Sequence, residues 1–301
     1  MPNPTKPSEN IRRVLILGHS GFIGTRLVQY FQERSPDIEV IGKSFPPFDL
    51  TQYNDASELA DMFDRETALI MLSAIKRQFA DDLDSFLKNV VMVVNLCKVL
   101  QEHSVGRVIY FSSAAVYGED IDNTGITEET PICPTSYYGM AKFTAERLLW
   151  KTISSNEQSS LLVLRPPTVY GPGDQGNTYG PVSFVKAAIE KRAITLWGDG
   201  EELRDFVFID DIAAIVHRLV FNDYKGVLNI ANGKSCSFKE ILDIVVRSIP
   251  HQVEFGTRSR TKDKVDNVFL ADRLLEVLPD LKFISMKEGV ARMIECEGYR
   301  D

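Results

Sequence analysis

Long apolar runs, a surplus of positive charge and paired cysteines are all missing from this chain of 301 residues. Its apolar runs stop far short of the roughly 20 residues that a membrane-spanning helix needs. Acidic residues outnumber basic ones by 42 to 34, for a formal net charge of −8. That balance argues against a broad basic surface for nucleic acid or an anionic membrane, while leaving room for a local basic pocket for phosphates. The four cysteines, Cys97, Cys133, Cys236 and Cys296, are scattered, with no CxxC pair and no histidines at zinc-ligand spacing. No metal site is expected, Cys97 reads as a small buried hydrophobe, and a reducing cytoplasm is the expected setting. The first ten residues lack the apolar core of a secretory signal and read as a flexible tail. The sequence shows no internal repeat and no low-complexity tract.

What is present is an ordinary globular composition, 44% hydrophobic and 25% charged, with enough length for one large domain or two joined ones. Ile11–Leu17 is an apolar run ending at Gly18, as a buried parallel strand would. Phe22, Ile23, Leu27, Val28, Tyr30 and Phe31 recur at roughly helical spacing, and Ser35-Pro36 stops that run. Further strands are expected at Ile38–Ile41, Ala68–Leu72, Arg107–Phe111 and Leu161–Leu164, with helices at Asp55–Asp64, Leu83–Gln101 and Ser136–Trp150. This alternation implies an α/β fold, a Rossmann-type doubly wound parallel sheet over 11–165 whose right-handed crossovers cover both faces. After Arg165 the texture turns to Pro166-Pro167 and Tyr170-Gly-Pro-Gly-Asp174, which is turn chemistry. A smaller substrate-binding α/β part is expected over 166–301. It interleaves with the first, because strand-like stretches at Phe206–Ile209 and Val227–Ile230 return to the sheet within about 206–231.

Gly18-His-Ser-Gly-Phe-Ile-Gly24 sits between the first strand and the first helix. Glycines there permit a tight turn, close approach of backbone to a pyrophosphate, and close helix–strand packing, while the helix N-terminus offers free N–H groups to an anion. The spacing is three-three, so the placement carries more weight than the pattern. A hydrolase nucleophile elbow needs glycine two residues after Ser20, where this chain has Phe22. An NAD site usually ends the second strand with an acid that bonds the ribose 2′-hydroxyl. Here Val40-Ile41 runs into Gly42-Lys43-Ser44. Lys43 either pairs with the 2′-phosphate of NADP or is a solvated loop charge, and the reading favours NADP(H) over NAD.

Tyr138 and Lys142 stand four residues apart at the start of an expected helix, on one face of it. The ordinary tyrosine pKa, about 10, is too high for a base at neutral pH. A neighbouring ammonium and a positive nicotinamide ring would both lower it, so that phenolate takes a hydroxyl proton while hydride leaves the same carbon. Ser112 and Ser113 end the strand Arg107–Phe111, at the edge where open α/β sheets bind ligands. A serine there either bonds the reacting oxygen or is a plain strand-end cap.

Taken together, these residues resemble the extended short-chain dehydrogenase/reductase family, in its nucleotide-sugar epimerase/dehydratase branch. The resemblance runs from Arg13 to about Met293 and rests on several motifs. Phe111-Ser-Ser-Ala-Ala-Val-Tyr-Gly118 is similar to the family's serine segment, which implies Ser113 as catalytic serine beside Tyr138 and Lys142, with Ala114 against substrate. The glycine loop implies cofactor contacts from Gly18, Ser20, Gly21, Phe22, Ile23 and Gly24. By the same matching, Asp49 and Leu50 fall at the adenine, Ser73, Ala74, Lys76 and Ser112 along the cofactor, and Asn89 in the helix supporting the site. Leu164-Arg-Pro-Pro-Thr-Val-Tyr-Gly-Pro172 implies Pro166 and Thr168 near nicotinamide and substrate. Leu203-Arg-Asp-Phe-Val-Phe-Ile-Asp210 implies Arg204 on the diphosphate of a nucleotide-diphosphate sugar, and Asp266 matches a nucleoside contact.

Two departures narrow the activity. Ala114 and Ala115 stand where 4,6-dehydratases of the branch carry an Asp–Glu pair, and position 115 is not the cysteine of fucose-synthase types. The resemblance therefore implies an NAD(P)-dependent epimerase working through a keto-sugar intermediate. An NADPH-dependent 4-keto-sugar reductase is the alternative, and a non-catalytic redox sensor ranks third. Lys76 and Arg77 touch diphosphates or are simply solvated. A homodimer through the helices at about 83–101 and 136–156 also follows from the resemblance.

Overall fold

The computed structural model describes residues 11–155, 158–174 and 179–297. The tail at 1–10 and the helix end expected at residue 156 lie outside these residues. In chain order the first elements are β1 (Arg13–Leu17), α1 (Phe22–Arg34), β2 (Glu39–Lys43), α2 (Tyr53–Ser57), β3 (Thr67–Met71), α3 (Leu83–Glu102), β4 (Arg107–Phe111), β5 (Asn123–Ile126) and α4 (Tyr137–Ile153). The chain continues with β6 (Ser160–Arg165), β7 (Thr168–Tyr170), α5 (Pro181–Ile189), β8 (Ile194–Trp197), β9 (Leu203–Arg204), β10 (Phe206–Phe208) and α6 (Ile209–Val220). It ends with β11 (Gly226–Asn229), β12 (Cys236–Ser237), α7 (Phe238–Ser248), β13 (Phe255–Arg258), β14 (Asn267–Phe269), α8 (Asp272–Val277) and α9 (Met286–Cys296).

Two compact units share the chain. Among the described residues, the first comprises 11–119, 131–155, 158–166 and 213–228, and the second the others. In the first, six strands lie in the order β11-β6-β4-β3-β1-β2, with β1, β2, β3, β4 and β6 paired in parallel. The order reverses after β1, which is the doubly wound pattern that places ligands at the carboxyl ends of the strands. Val14–Leu17, Ala68–Met71 and Val108–Phe111 are all buried, as unbroken apolar strands covered on both faces must be. Helix α3 starts at a reciprocal cap: Asp82 accepts the Ser85 N–H at 2.8 Å, and Ser85 Oγ accepts the Asp82 N–H at 3.0 Å. Helix α4 starts at Ser136, whose hydroxyl accepts the Gly139 N–H at 3.1 Å.

Three expectations change. Lys43 is not a loop residue, because β2 continues through Gly42 and pairs Lys43 with Leu17. The helix expected at Asp55–Asp64 begins earlier, at Tyr53, and becomes a 3₁₀ turn over Glu58–Met62. Phe206–Phe208 is a strand but pairs with β7 in the second unit, so the stretch returning to the first is 213–228. An apolar run reveals a strand without revealing its sheet.

The second unit holds that β7–β10 pair, a four-stranded sheet in the order β12-β9-β14-β5, and the parallel pair β8–β13. Tyr170 packs edge-on against Phe208 at 5.3 Å between ring centroids.

Candidate active site

At the N-terminus of α1 the backbone is left open to an anion. The cap residue Gly21 contributes no side chain, and the first turn carries no acid. Gly18 adopts φ +91°, and a Cβ there would lie 2.9 Å from the Ser73 N. A Cβ on Gly24 would lie 2.2 Å from the Gly18 carbonyl oxygen. Both glycines are thus dictated by close packing of backbone, and the turn they form fits the pyrophosphate of a dinucleotide. Phe22 and Ile23 open α1, and the Lys76 ammonium stands 5.9 Å from the Phe22 ring centroid, a cation beside that helix start. Ser20 donates its N–H to Ser44 Oγ at 3.0 Å.

Other expected cofactor residues shape the backbone around this turn. Asn89 accepts the Ile75 N–H at 2.7 Å and donates to the Ile75 carbonyl at 3.0 Å, fixing the segment that carries Ser73 and Ala74. Asp49 accepts the Thr51 N–H at 2.9 Å, and Leu50 is buried with its carbonyl accepting from Asn95 at 3.0 Å.

The structure brings Ser113, Tyr138 and Lys142 together in the first unit. Tyr138 is half-buried, and the Ser113 side chain beside its phenol draws its pKa down. Lys142 is buried, donates to the Phe111 carbonyl at 2.7 Å, and lies 5.0 and 5.7 Å from the ring centroids of Tyr110 and Tyr138. The close approach has a local cause. A Cβ on Gly139 would lie 2.6 Å from the Ala115 carbonyl, so only glycine lets α4 come this near the 3₁₀ turn Ala114–Tyr117. Ala114 donates its N–H to the Pro166 carbonyl at 2.9 Å.

The charges differ from the simple expectation. Burial pushes Tyr138 up to about 12, opposed by Ser113 and reinforced by Glu119. Burial also pulls Lys142 down to about 7, with Glu146 opposing and Lys76 reinforcing. Lost hydration thus favours the neutral form of both groups. The spacing of the pair reveals proximity, whereas lost hydration decides the sign of the shift.

Sequence reasoning missed the residues that hold this pair. Glu146, buried on α4, accepts from the Ser112 hydroxyl and from Arg165 at 2.9 and 2.6 Å, and Arg165 donates to the Tyr117 hydroxyl at 2.9 Å. Ser112 thus spends its hydroxyl on the helix. Arg77 is exposed, as one of its two sequence readings has it, and pairs with Glu119 at 2.6 Å and Asp81 at 3.7 Å. Asp81 accepts the Tyr138 N–H at 3.0 Å, and Ser136 donates to Glu119 at 3.0 Å. Glu146 follows Lys142 by four residues, a spacing that offered a signal.

In the second unit, Thr168 stands opposite Phe206 in the β7–β10 pair. Arg204 and Asp266 lie within one charged cluster. Asp266 accepts the Leu203 N–H and the Lys264 ammonium, each at 2.8 Å. Arg204 donates to the carbonyls of Leu203 and Val265 and stands 3.7 Å from Glu202, which Arg260 shares at 2.8 Å.

Residues 14–231 match the model of the NAD dependent epimerase/dehydratase family. The chain belongs to that family. As a member of the NAD dependent epimerase/dehydratase family it is an enzyme, which removes the redox-sensor reading. It is 25% identical over 299 residues to a putative UDP-glucose 4-epimerase of Methanocaldococcus jannaschii, covering 93% of this chain and 97% of that one. It is 26% identical over 291 residues to a GDP-6-deoxy-D-talose 4-dehydrogenase of Aggregatibacter actinomycetemcomitans, covering 93% and 96%. Its fold matches the UDP-glucuronic acid 4-epimerase of Bacillus cereus, solved with UDP-glucuronic acid and NAD, with a TM-score of 0.82, 20% identity, and coverage of 95% and 100%. Among the described residues, no helix is long and apolar enough to cross a membrane.

Proposed function

We propose that the protein is a nucleotide-sugar epimerase that inverts a carbon by transient oxidation to a keto sugar. The observation that carries this reading is the Tyr138 phenol beside Ser113, with Lys142 buried 5.7 Å from the Tyr138 ring centroid. Gly18–Gly24, Lys76 and the segment pinned by Asn89 would hold the dinucleotide. When bound, the dinucleotide supplies a place for the substrate hydride and, when oxidised, a positive ring that favours phenolate.

Tyr138 takes the proton of the reacting hydroxyl, Ser113 bonds the same oxygen, and Lys142 holds the electrostatics of the pair from the Phe111 carbonyl. The proton returns from Tyr138 when the hydroxyl re-forms. Ala114 and Ala115 offer only methyl groups, so no acid of that segment protonates a leaving hydroxyl, which disfavours dehydration. Arg204 and Arg260 supply guanidinium groups suited to diphosphate oxygens, and Asp266 an acceptor suited to a nucleoside. The UDP-sugar and GDP-sugar names of the relatives support a nucleotide-diphosphate sugar as substrate.

The second reading, an NADPH-dependent 4-keto-sugar reductase, is favoured by Lys43, a cation where an NAD site places an acid. Incubating the purified protein with UDP-, GDP- and dTDP-hexoses, without added dinucleotide, separates the two. Epimer formation supports the first reading. Turnover that requires stoichiometric NADPH overturns it in favour of the second.

A homodimer through α3 and α4 is part of the same proposal. Leu83, Leu87 and Val91 repeat every four residues on α3 and are exposed, as are Tyr137 and Met140 on α4. Contiguous apolar side chains of this kind suit a helix–helix interface. Sedimentation velocity should show a dimer that Leu87→Glu dissociates; a monomeric wild type rejects it.

A further inference from the structure

The end of β2 differs from an NAD site in more than its missing acid. A Cβ on Gly42 would lie 2.3 Å from Cγ and 2.5 Å from Cδ2 of His19. The imidazole, carried by the glycine loop, therefore occupies the volume that a side chain at position 42 would need. An aspartate at 42 and a histidine at 19 are mutually exclusive in this backbone.

The ring is also oriented. Its Nδ1 lies 2.8 Å from Ser44 Oγ, which already accepts the Ser20 N–H at 3.0 Å. Ser44 is buried, and a hydroxyl has a single proton to give. Among the described residues, His19 Nδ1 is the acceptor this hydroxyl has. That hydrogen bond assigns the proton of the neutral ring to Nε2, which becomes a donor. One residue before Ser44, the Lys43 ammonium is held 5.4 Å from the Phe48 ring centroid and makes no ion pair among the described residues. The end of β2 thus gathers donors and a cation, and Gly42, Lys43 and Ser44 supply no carboxylate to receive a pair of ribose hydroxyls.

We infer that His19, Lys43 and Ser44 form a recognition site for the 2′-phosphate of NADP(H), and that Gly42 is bare to admit the His19 ring. The inference rests on the reading that a dinucleotide binds at Gly18–Gly24. A 2′-phosphate offers acceptor oxygens and negative charge to the Nε2–H donor and the Lys43 ammonium, and charge-assisted hydrogen bonds of this type are the strong ones. The unphosphorylated ribose of NAD gains little from either group.

Titration of the purified chain with NADP⁺ and NAD⁺, followed by calorimetry, tests this directly. NADP⁺ should bind at least about tenfold more tightly than NAD⁺, a difference of one 1.4 kcal/mol step. Lys43→Ala and His19→Ala should each weaken NADP⁺ about tenfold while leaving NAD⁺ within about twofold. Gly42→Asp combined with His19→Gly should invert the preference. Equal or tighter binding of NAD⁺ by the wild type, or equal losses for both dinucleotides in the variants, would overturn the inference and leave the loop reading intact. If neither dinucleotide binds, the loop reading itself fails, and this one with it.

Discussion

Lys142 lies in the core of the first unit beside a half-buried Tyr138, whereas Arg204 and Asp266 stand in a partly exposed cluster of charges in the second. The two regions are organised by different physics. Around Tyr138 and Lys142, lost hydration moves both pKa values by more than any neighbouring charge does, and a buried Glu146–Arg165 pair fixes the helix that carries them. Around Arg204, a partly exposed ion pair with Glu202 and hydrogen bonds to the carbonyls of Leu203 and Val265 set side-chain direction. Under the proposed function, the first region controls proton affinity and the second exchanges its partners for ligand oxygens.

The sharpest way to break this contrast is to remove the phenol. Tyr138→Phe should lower turnover by about 10³-fold, in the range of lost general acid–base catalysis, with dinucleotide affinity within about twofold. Undiminished turnover would place the proton acceptor elsewhere. Next in size is Glu146→Ala, which strands the buried Arg165 guanidinium and should cost about 3–5 kcal/mol in urea unfolding. A loss below about 1 kcal/mol would put the pair on a par with a surface bridge and erase the difference between the regions.

Arg204→Ala should act in the opposite manner. It should raise the KM for a UDP-sugar about tenfold or more, the worth of a hydrogen bond to a charged group, while the unfolding midpoint barely moves. A large loss of stability with unchanged KM would make Arg204 a structural residue.

The smallest effect concerns Asp205, a buried acid in the second unit with no ion pair among the described residues. Burial raises its pKa to about 7 against the N–H groups of Asn232 and Gly233. Because the folded value lies above the unfolded one, the folded state holds the extra proton between about pH 4 and pH 7. Asp205 thus contributes stability at low pH that is lost as pH rises through about 7, and Asp211, raised to about 7 mainly by burial, adds in the same direction. Asp205→Asn should shrink the fall in unfolding free energy between pH 5 and pH 8 by on the order of 1–2 kcal/mol. An unchanged difference would mean that Asp205 is ionised throughout.

The features legible in the sequence were local ones. The glycine loop, the parallel strands and the spacing of Tyr138 and Lys142 lie within one element or one turn, and the alternation of strands and helices carried the fold of the first unit. Glu146 was within the same reach, but its partner Arg165 lies 19 residues on, and only the folded sheet brings the two together. The His19 ring against Gly42 is likewise a contact between loop and neighbouring strand. In the second unit, β9 has two residues and β14 three, too short for any period to show. Helices α7 and α9 did carry readable starts, Ser237 with Glu240 and Ser285 with Glu288, each a serine followed three residues later by glutamate. The direction of the Tyr138 shift was out of reach for another reason: a pattern of residue types contains charges but no measure of hydration.

The central claim is that hydride leaves a sugar carbon and returns to it while Tyr138 carries the proton. Nuclear magnetic resonance of UDP-, GDP- and dTDP-hexoses deuterated at C4, incubated with the protein, tests it most directly. At least one sugar should form its epimer with deuterium still on C4. Loss of the label to solvent, or no turnover of any of these sugars, would contradict the account.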